Sequence, residues 1–260
     1  MVLSSSLRTA WPDRTAALTI LVGLALLTVL AWTVTFWQAR ERDFLMMVGV
    51  PMNLEMSGRF NGGSVVLFLL IWLTMMVAMM FPSVWPTVLL YAAATRKREA
   101  GSAPLFVAGY LLAWQGFGAV AYGGYAGAGE FLAGLKSHFP LLTGALVIVA
   151  GLYQFTSVKR VCLKHCQGPL EYLATHWHDG RAGALRMGLS HGSYCIGCCA
   201  GLMLALLALG VMDLRWMATV STVIAVEKLG PRHPSLPQVV GIGLLLLGLA
   251  IASLPYLKLA

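Results

Sequence analysis

Apolar residues come in long blocks along this chain, and polar residues gather between the blocks. A helix needs about 20 mainly apolar residues to cross a bilayer. Seven blocks approach that length, at roughly 16–37, 63–86, 103–126, 141–158, 188–210, 213–230 and 237–257. The sixth is the weakest, being short and carrying Glu227 and Lys228 near its end. The first block, from Ala16 to Trp37, is too long for the apolar core of a cleaved signal peptide. It is followed by Gln38 and charges, so it reads as a retained span. The pattern predicts an all-α fold: a polytopic transmembrane bundle of about seven spans, forming one integral membrane domain over residues 1–260.

Composition supports this picture. Hydrophobic residues make up 58% of the chain and charged residues 11%, with a mean hydropathy of +0.78. A soluble domain carries about 25% charge, so there are too few charges here to coat a water-facing surface. The net charge of +8 would suit nucleic acid, but the basic residues fall in short clusters between apolar blocks. That is the pattern of basic cytoplasmic loops, with the bilayer as the partner. With the N-terminus in the cytoplasm, the inner segments hold twelve Lys and Arg residues, Arg96, Lys97 and Arg98 among them, and the outer segments hold six. This bias predicts a cytoplasmic N-terminus.

Candidate chemistry lies in the sulfur residues. All five cysteines fall in two groups, Cys162 and Cys166 in VCLKHC and Cys195, Cys198 and Cys199 in YCIGCC. If the fourth span continues inward as a helix, Cys162 and Cys166 share a face with His165 beside them. On the fifth span His191, Cys195, Cys199 and Met203 recur every four residues, so they form one stripe flanked by Cys198. At about 1.5 Å per residue, Cys195 to Cys199 fall roughly 10–17 Å above the cytoplasmic end of that span. Thiolates and thioethers together favour Cu(I) over hard cations, while thiolate with imidazole also suits zinc. One cysteine in a span is usually inert packing; three within five residues, one turn from a histidine, point to metal binding.

The second span contains WLTMMVAMMFP, which pairs Met75 with Met79 and Met76 with Met80 at helical spacing. Methionine is also a routine core filler. Pro82 and Pro86 follow, and each frees a carbonyl one turn back that needs another partner inside a membrane. Met46, Met47, Met52 and Met56 in the outer segment 38–62 read as an interfacial stretch, with a soft-metal collection site as the alternative. Glu227 and Lys228 are near enough to the interface to snorkel. His176 and His178 read as solvated loop residues. Gly197 with Gly201, and Gly123 with Gly127, form GxxxG pairs whose ordinary meaning is close helix packing. The chain shows no phosphate loop, HExxH or EF-hand pattern, and nothing near His191 and Ser193 completes a hydrolase triad.

The run WLTMMVAMMFPSVWP (72–86), then YQFTSVKRVCLKHCQGP (153–169) and GSYCIGCCAGLM (192–203) with VEK (226–228), resembles a bacterial family of predicted metal-binding integral membrane proteins. Some members are linked with copper delivery to multicopper oxidases of the polyphenol-oxidase type. The resemblance runs from the second span to the sixth. It implies that Met75, Met76, Met79 and Met80 form the family's methionine motif. It likewise implies that Cys162 and Cys166 are its first cysteine pair, that Cys195, Cys198 and Cys199 are its second cluster, and that Glu227 and Lys228 are its Glu-Lys step. Phe81 and Trp85 stand where the pattern leads one to expect leucine and a smaller residue. The resemblance further implies a bacterial inner membrane location and a copper-acceptor protein, such as a multicopper oxidase, as partner.

These readings converge on a non-enzymatic protein that binds Cu(I) and passes it on, as a copper chaperone or transporter. The expected metal residues are Cys162, Cys166, Cys195, Cys198, Cys199, His191, His165, Met75, Met76, Met79, Met80 and Met203. Two rivals remain. Cys195-x-x-Cys198 has the spacing of a thiol–disulfide oxidoreductase, although disulfides do not normally persist toward the cytoplasm. A closed cysteine-rich zinc site would instead stiffen a structural subunit.

Overall fold

The computed structural model describes residues 14–40, 62–95, 101–127, 139–210, 213–230 and 235–257. Met46, Met47, Met52 and Met56 lie outside the described residues, as do His138, His233 and the Arg96–Lys97–Arg98 cluster. The described chain is helical almost throughout. Its elements are α1 (Arg14–Arg40), α2 (Gly62–Thr95), α3 (Ala103–Gly127), α4 (Phe139–Tyr153), α5 (Ser157–Gln167), α6 (Pro169–Thr175), α7 (Gly180–Leu209), α8 (Leu214–Leu229) and α9 (Ser235–Leu257).

Five helices, α1, α2, α3, α7 and α9, are long and apolar enough to cross a membrane, and a sixth crossing is added if α4 and α5 count as one bent span. The span expected over 141–158 is bent near its C-terminal end. α4 stops at Tyr153, and α5 leaves at 63° to it. The break is local chemistry. Three-residue turns from Gln154, Phe155 and Thr156 back to Gly151, Leu152 and Tyr153 close the end of α4. Thr156 then caps α5, its hydroxyl accepting from the Lys159 amide at 3.3 Å, which satisfies a first-turn donor. α5 is amphipathic: Lys159, Leu163 and Cys166 are buried on one face, while Arg160, Val161 and Lys164 face outward. α8 has 16 residues, about 24 Å of helix, which is less than the apolar thickness of a typical bilayer.

α7 is the central element, packed against α3, α4, α5 and α8, whereas α1 rests on α2, and α9 mainly on α4. Lipid gives helices no hydrophobic reason to associate, so close packing of small residues has to do so. At the α3–α7 seam a Cβ on Gly188 would strike the Phe106 carbonyl, and one on Gly192 would lie 2.6 Å from Ala113 Cβ. The GxxxG pair Gly197 and Gly201 lies against α5 and α4: added Cβ atoms would stand 2.5 Å from Cys162 Sγ and 2.8 Å from Tyr153 Cδ1. Among the described residues Gly123 and Gly127 meet nothing within 4 Å, so that second pair joins no described helices. α1 and α9 leave Leu18, Leu26, Leu30, Leu246 and Leu249 exposed, an apolar surface suited to lipid.

α2 runs through Pro82 and Pro86 as one helix. Pro82 has no N–H to offer Ala78 one turn back. The Trp32 indole of α1 supplies the missing donor, reaching the Ala78 carbonyl at 2.9 Å. Ser83 and Ser221 donate to the carbonyls of Met80 and Met79 at 2.9 and 3.2 Å. α2 is thus held between α1 and α8 where its own ladder is interrupted, and this holding positions Met80.

Candidate metal centre

Four-residue spacing on α7 makes a stripe, and the stripe faces inward. His191, Cys195, Cys199 and Met203 are all at most 2% exposed, as is Cys198. The sulfurs of Cys195, Cys198 and Cys199 lie within 4.8 Å of one another and can hold a metal ion. α5 adds a fourth thiol, with Cys166 Sγ 3.6 Å from Cys198 Sγ. Cys198 Sγ is also 3.5 Å from Cys199 Sγ. All five cysteines are free thiols. Cys162 is half-buried and sits one turn before Cys166, over the Gly197 backbone.

Of the α2 methionines, Met80 brings its sulfur to 4.0 Å from Cys195 Sγ. Met75, Met76 and Met79 are buried in the same core, as the i, i+4 pattern predicts for either packing or ligation. Met203 occupies the α7 turn beyond Cys199 and is buried too. His191 lies one turn before Cys195, with Tyr172 edge-on at 4.9 Å. Its Nδ1 is buried with no hydrogen-bond partner among the described residues, an arrangement that is costly unless something else satisfies it.

His165 lies on a different side of α5. Its ring stacks on Tyr194 at 4.2 Å. Its Nδ1 is 2.9 Å from the Val161 carbonyl and donates to it. His176 joins this aromatic group, edge-on to His165 at 5.9 Å and with Nε2 3.3 Å from the Tyr194 hydroxyl. It is thus packed rather than loose in a loop.

The charged residues depart most from expectation. Glu227 and Lys228 do not snorkel; they are 2% and 7% exposed. Glu227 pairs with Lys159 of α5 at 2.5 Å, with both side chains buried, and Gln167 donates to the Glu227 carbonyl at 2.6 Å. Lys228 points into the sulfur cluster. Its Nζ donates to Cys195 Sγ at 2.9 Å and to Ser83 Oγ at 3.3 Å, with Met80 Sδ at 4.0 Å. The Tyr110 hydroxyl of α3 is 3.0 Å from the same Cys195 sulfur. Tyr110 and the Lys159 contact were missed by sequence reasoning. For Lys159 the usable signal was an ionisable residue just past a span's end; for Tyr110 the sequence held none.

The donor set fits a soft ion. Four thiols and a thioether converge from three helices in a buried interior, beside a lysine and a tyrosine that can stabilise sulfur-centred negative charge. A family described as copper chaperone, PpoB2, matches residues 69–251, a stretch holding all five cysteines, Met75 to Met80, His165, His191, Met203 and the Glu227–Lys228 step. No curated protein matches the chain, and no solved structure does. With the match covering most of its length and every sulfur residue of the buried centre, the chain belongs to the PpoB2 copper-chaperone family.

Proposed function

We propose that this protein takes up Cu(I) as cargo at Cys195, Cys198 and Cys199 and hands it on by ligand exchange. The observation that carries the reading is the group of three buried sulfurs within 4.8 Å of one another, joined by Cys166 from a separate helix. Soft donors buried in the bundle favour a soft ion over hard cations. Exchange requires neighbouring donors of graded strength. Met80 is the first thioether beyond Cys195, and Met75, Met76, Met79, Met203 and His191 extend the set along α2 and α7. Cys162 and His165 form an outer station at the α5 end. The accompanying topology has seven crossings in one membrane domain and a cytoplasmic N-terminus. α4 and α8 are its short members, and local bilayer thinning would accommodate them. The location is a bacterial inner membrane, and the recipient is a copper-accepting protein such as a multicopper oxidase.

Elemental analysis of detergent-purified, reduced protein after anaerobic loading tests this directly. One Cu(I) per chain is expected in the native protein, and none in a variant with Cys195 and Cys199 changed to serine. Unchanged copper in that variant would remove these cysteines from the site. A second reading has one specific support: Cys166, Cys195, Cys198 and Cys199 supply four thiols, the number a closed structural zinc site uses. Zinc that resists chelation and raises thermal stability would favour it. A reversible Cys195–Cys198 disulfide would instead favour the oxidoreductase reading.

A further inference from the structure

Lys228 is a buried cation without a carboxylate partner among the described residues. Its Nζ contacts Cys195 Sγ at 2.9 Å, Ser83 Oγ at 3.3 Å and Met80 Sδ at 4.0 Å. The adjacent Glu227 makes no ion pair with it. Consecutive helical residues point about 100° apart, and the Glu227 carboxylate is turned to Lys159 at 2.5 Å. Lys159, Glu227 and Lys228 together therefore leave one positive charge in an apolar bundle, where net charge is costly. A ligand complex carrying one negative charge would cancel it.

We propose that Lys228 is the built-in counter-cation of a two-thiolate complex of a monovalent soft metal ion, and so the residue that matches this site to Cu(I) by charge. The inference rests on the reading of the thiols as a Cu(I) site. The balance is simple. The ion enters with one positive charge, and two thiols among Cys195, Cys198 and Cys199 release their protons to solvent. The resulting complex carries one negative charge, Lys228 brings the sum to zero, and no electron moves. Two metal–sulfur bonds of about 2.3 Å, the value for zinc thiolates, span about 4.6 Å when collinear and less when bent, a reach that covers sulfurs lying within 4.8 Å of one another, with Cys198 and Cys199 at 3.5 Å. A divalent ion on the same two thiolates would leave an uncancelled positive charge. Lys228 then disfavours the wrong ion as well as favouring the right one.

Ag(I) and Hg(II) separate charge from geometry, because both accept two thiolates in the same arrangement and differ by one unit of charge. Ag(I) affinity is measured on the full-length, reduced protein in detergent by competition with a soluble thiol chelator. Hg(II) stoichiometry is measured by elemental analysis. The proteins compared are the native chain, Lys228→Met and Lys228→Arg. Removing one charge about 5 Å from the complex, at an effective dielectric of about 20, changes a binding constant by roughly two orders of magnitude. The expected result is Ag(I) binding about 100-fold weaker in Lys228→Met, with the Hg(II) equivalent retained, and affinity largely recovered in Lys228→Arg. Unchanged Ag(I) affinity in Lys228→Met would overturn the proposal. So would loss of Hg(II) together with Ag(I), which makes Lys228 a support of the cage, or a failure of arginine to recover binding. Failure of the underlying reading looks different: the native protein would bind no Ag(I), or would bind it equally well with Cys195, Cys198 and Cys199 changed to serine.

Discussion

Changing Lys159 to methionine removes one half of a buried ion pair and leaves Glu227 alone in the interior. The pair is 2.5 Å long, and its side chains are 0% and 3% exposed, so neither charge has water to fall back on. With charge centres about 4 Å apart and an effective dielectric of about 20, the attraction is about 4 kcal/mol. Removing one partner of a buried pair costs about 3–5 kcal/mol, because the other charge is stranded, whereas replacing both with apolar residues of similar size is often neutral. Lys159→Met should therefore destabilise the protein by several kcal/mol, and Lys159→Met with Glu227→Leu should recover most of that loss. The pair also ties α5 to α8. α5 carries Cys166 and α8 carries Lys228, so the single variant should weaken Cu(I) retention and the double variant should restore it. Unfolding in mixed detergent micelles measures the first quantity, and competition for Cu(I) with a chelator measures the second. A double variant no more stable than the single would refute the stranded-charge argument. Restored stability without restored copper binding would refute the claim that the pair positions the thiols.

Trp32→Phe should cost about 1–2 kcal/mol, because it strands the buried Ala78 carbonyl; the cost should shrink when Pro82→Ala gives that carbonyl its helical donor, and an equal cost in both backgrounds, read from a double-mutant cycle, would exclude the link. Gly188→Val should force α3 and α7 apart and lower the melting temperature sharply, whereas Gly123→Ala, which meets nothing within 4 Å, should leave it nearly unchanged. Cys166→Ser should weaken Cu(I) binding while keeping its stoichiometry, and Cys162→Ser should leave affinity at the buried thiols close to native; equilibrium dialysis against a copper chelator distinguishes the two.

Much of this protein was legible along the chain because lipid imposes a simple rule. Every backbone polar group in a bilayer must be satisfied locally, so long apolar blocks become helices, and α1, α2, α3, α7 and α9 follow from block length alone. The stripe of His191, Cys195, Cys199 and Met203 is equally local, since it depends only on 3.6 residues per turn. Hydropathy could not report the break at residues 154–156, because Gln154, Thr156 and Ser157 are too few to interrupt an apolar average, although their turn and cap hydrogen bonds end one helix and start another. Nor could spacing reveal which residues meet across helices. Cys166 reaches Cys198, Met80 and Lys228 reach Cys195, and Lys159 reaches Glu227 only through the register in which four helices pack. That register is set by contacts such as the Gly188–Phe106 and Gly197–Cys162 approaches, between residues 82 and 35 positions apart. Local periodicity determined what each helix carries and on which face; the tertiary structure decided which faces meet, because packing between helices is a property of pairs of surfaces and no single segment contains it.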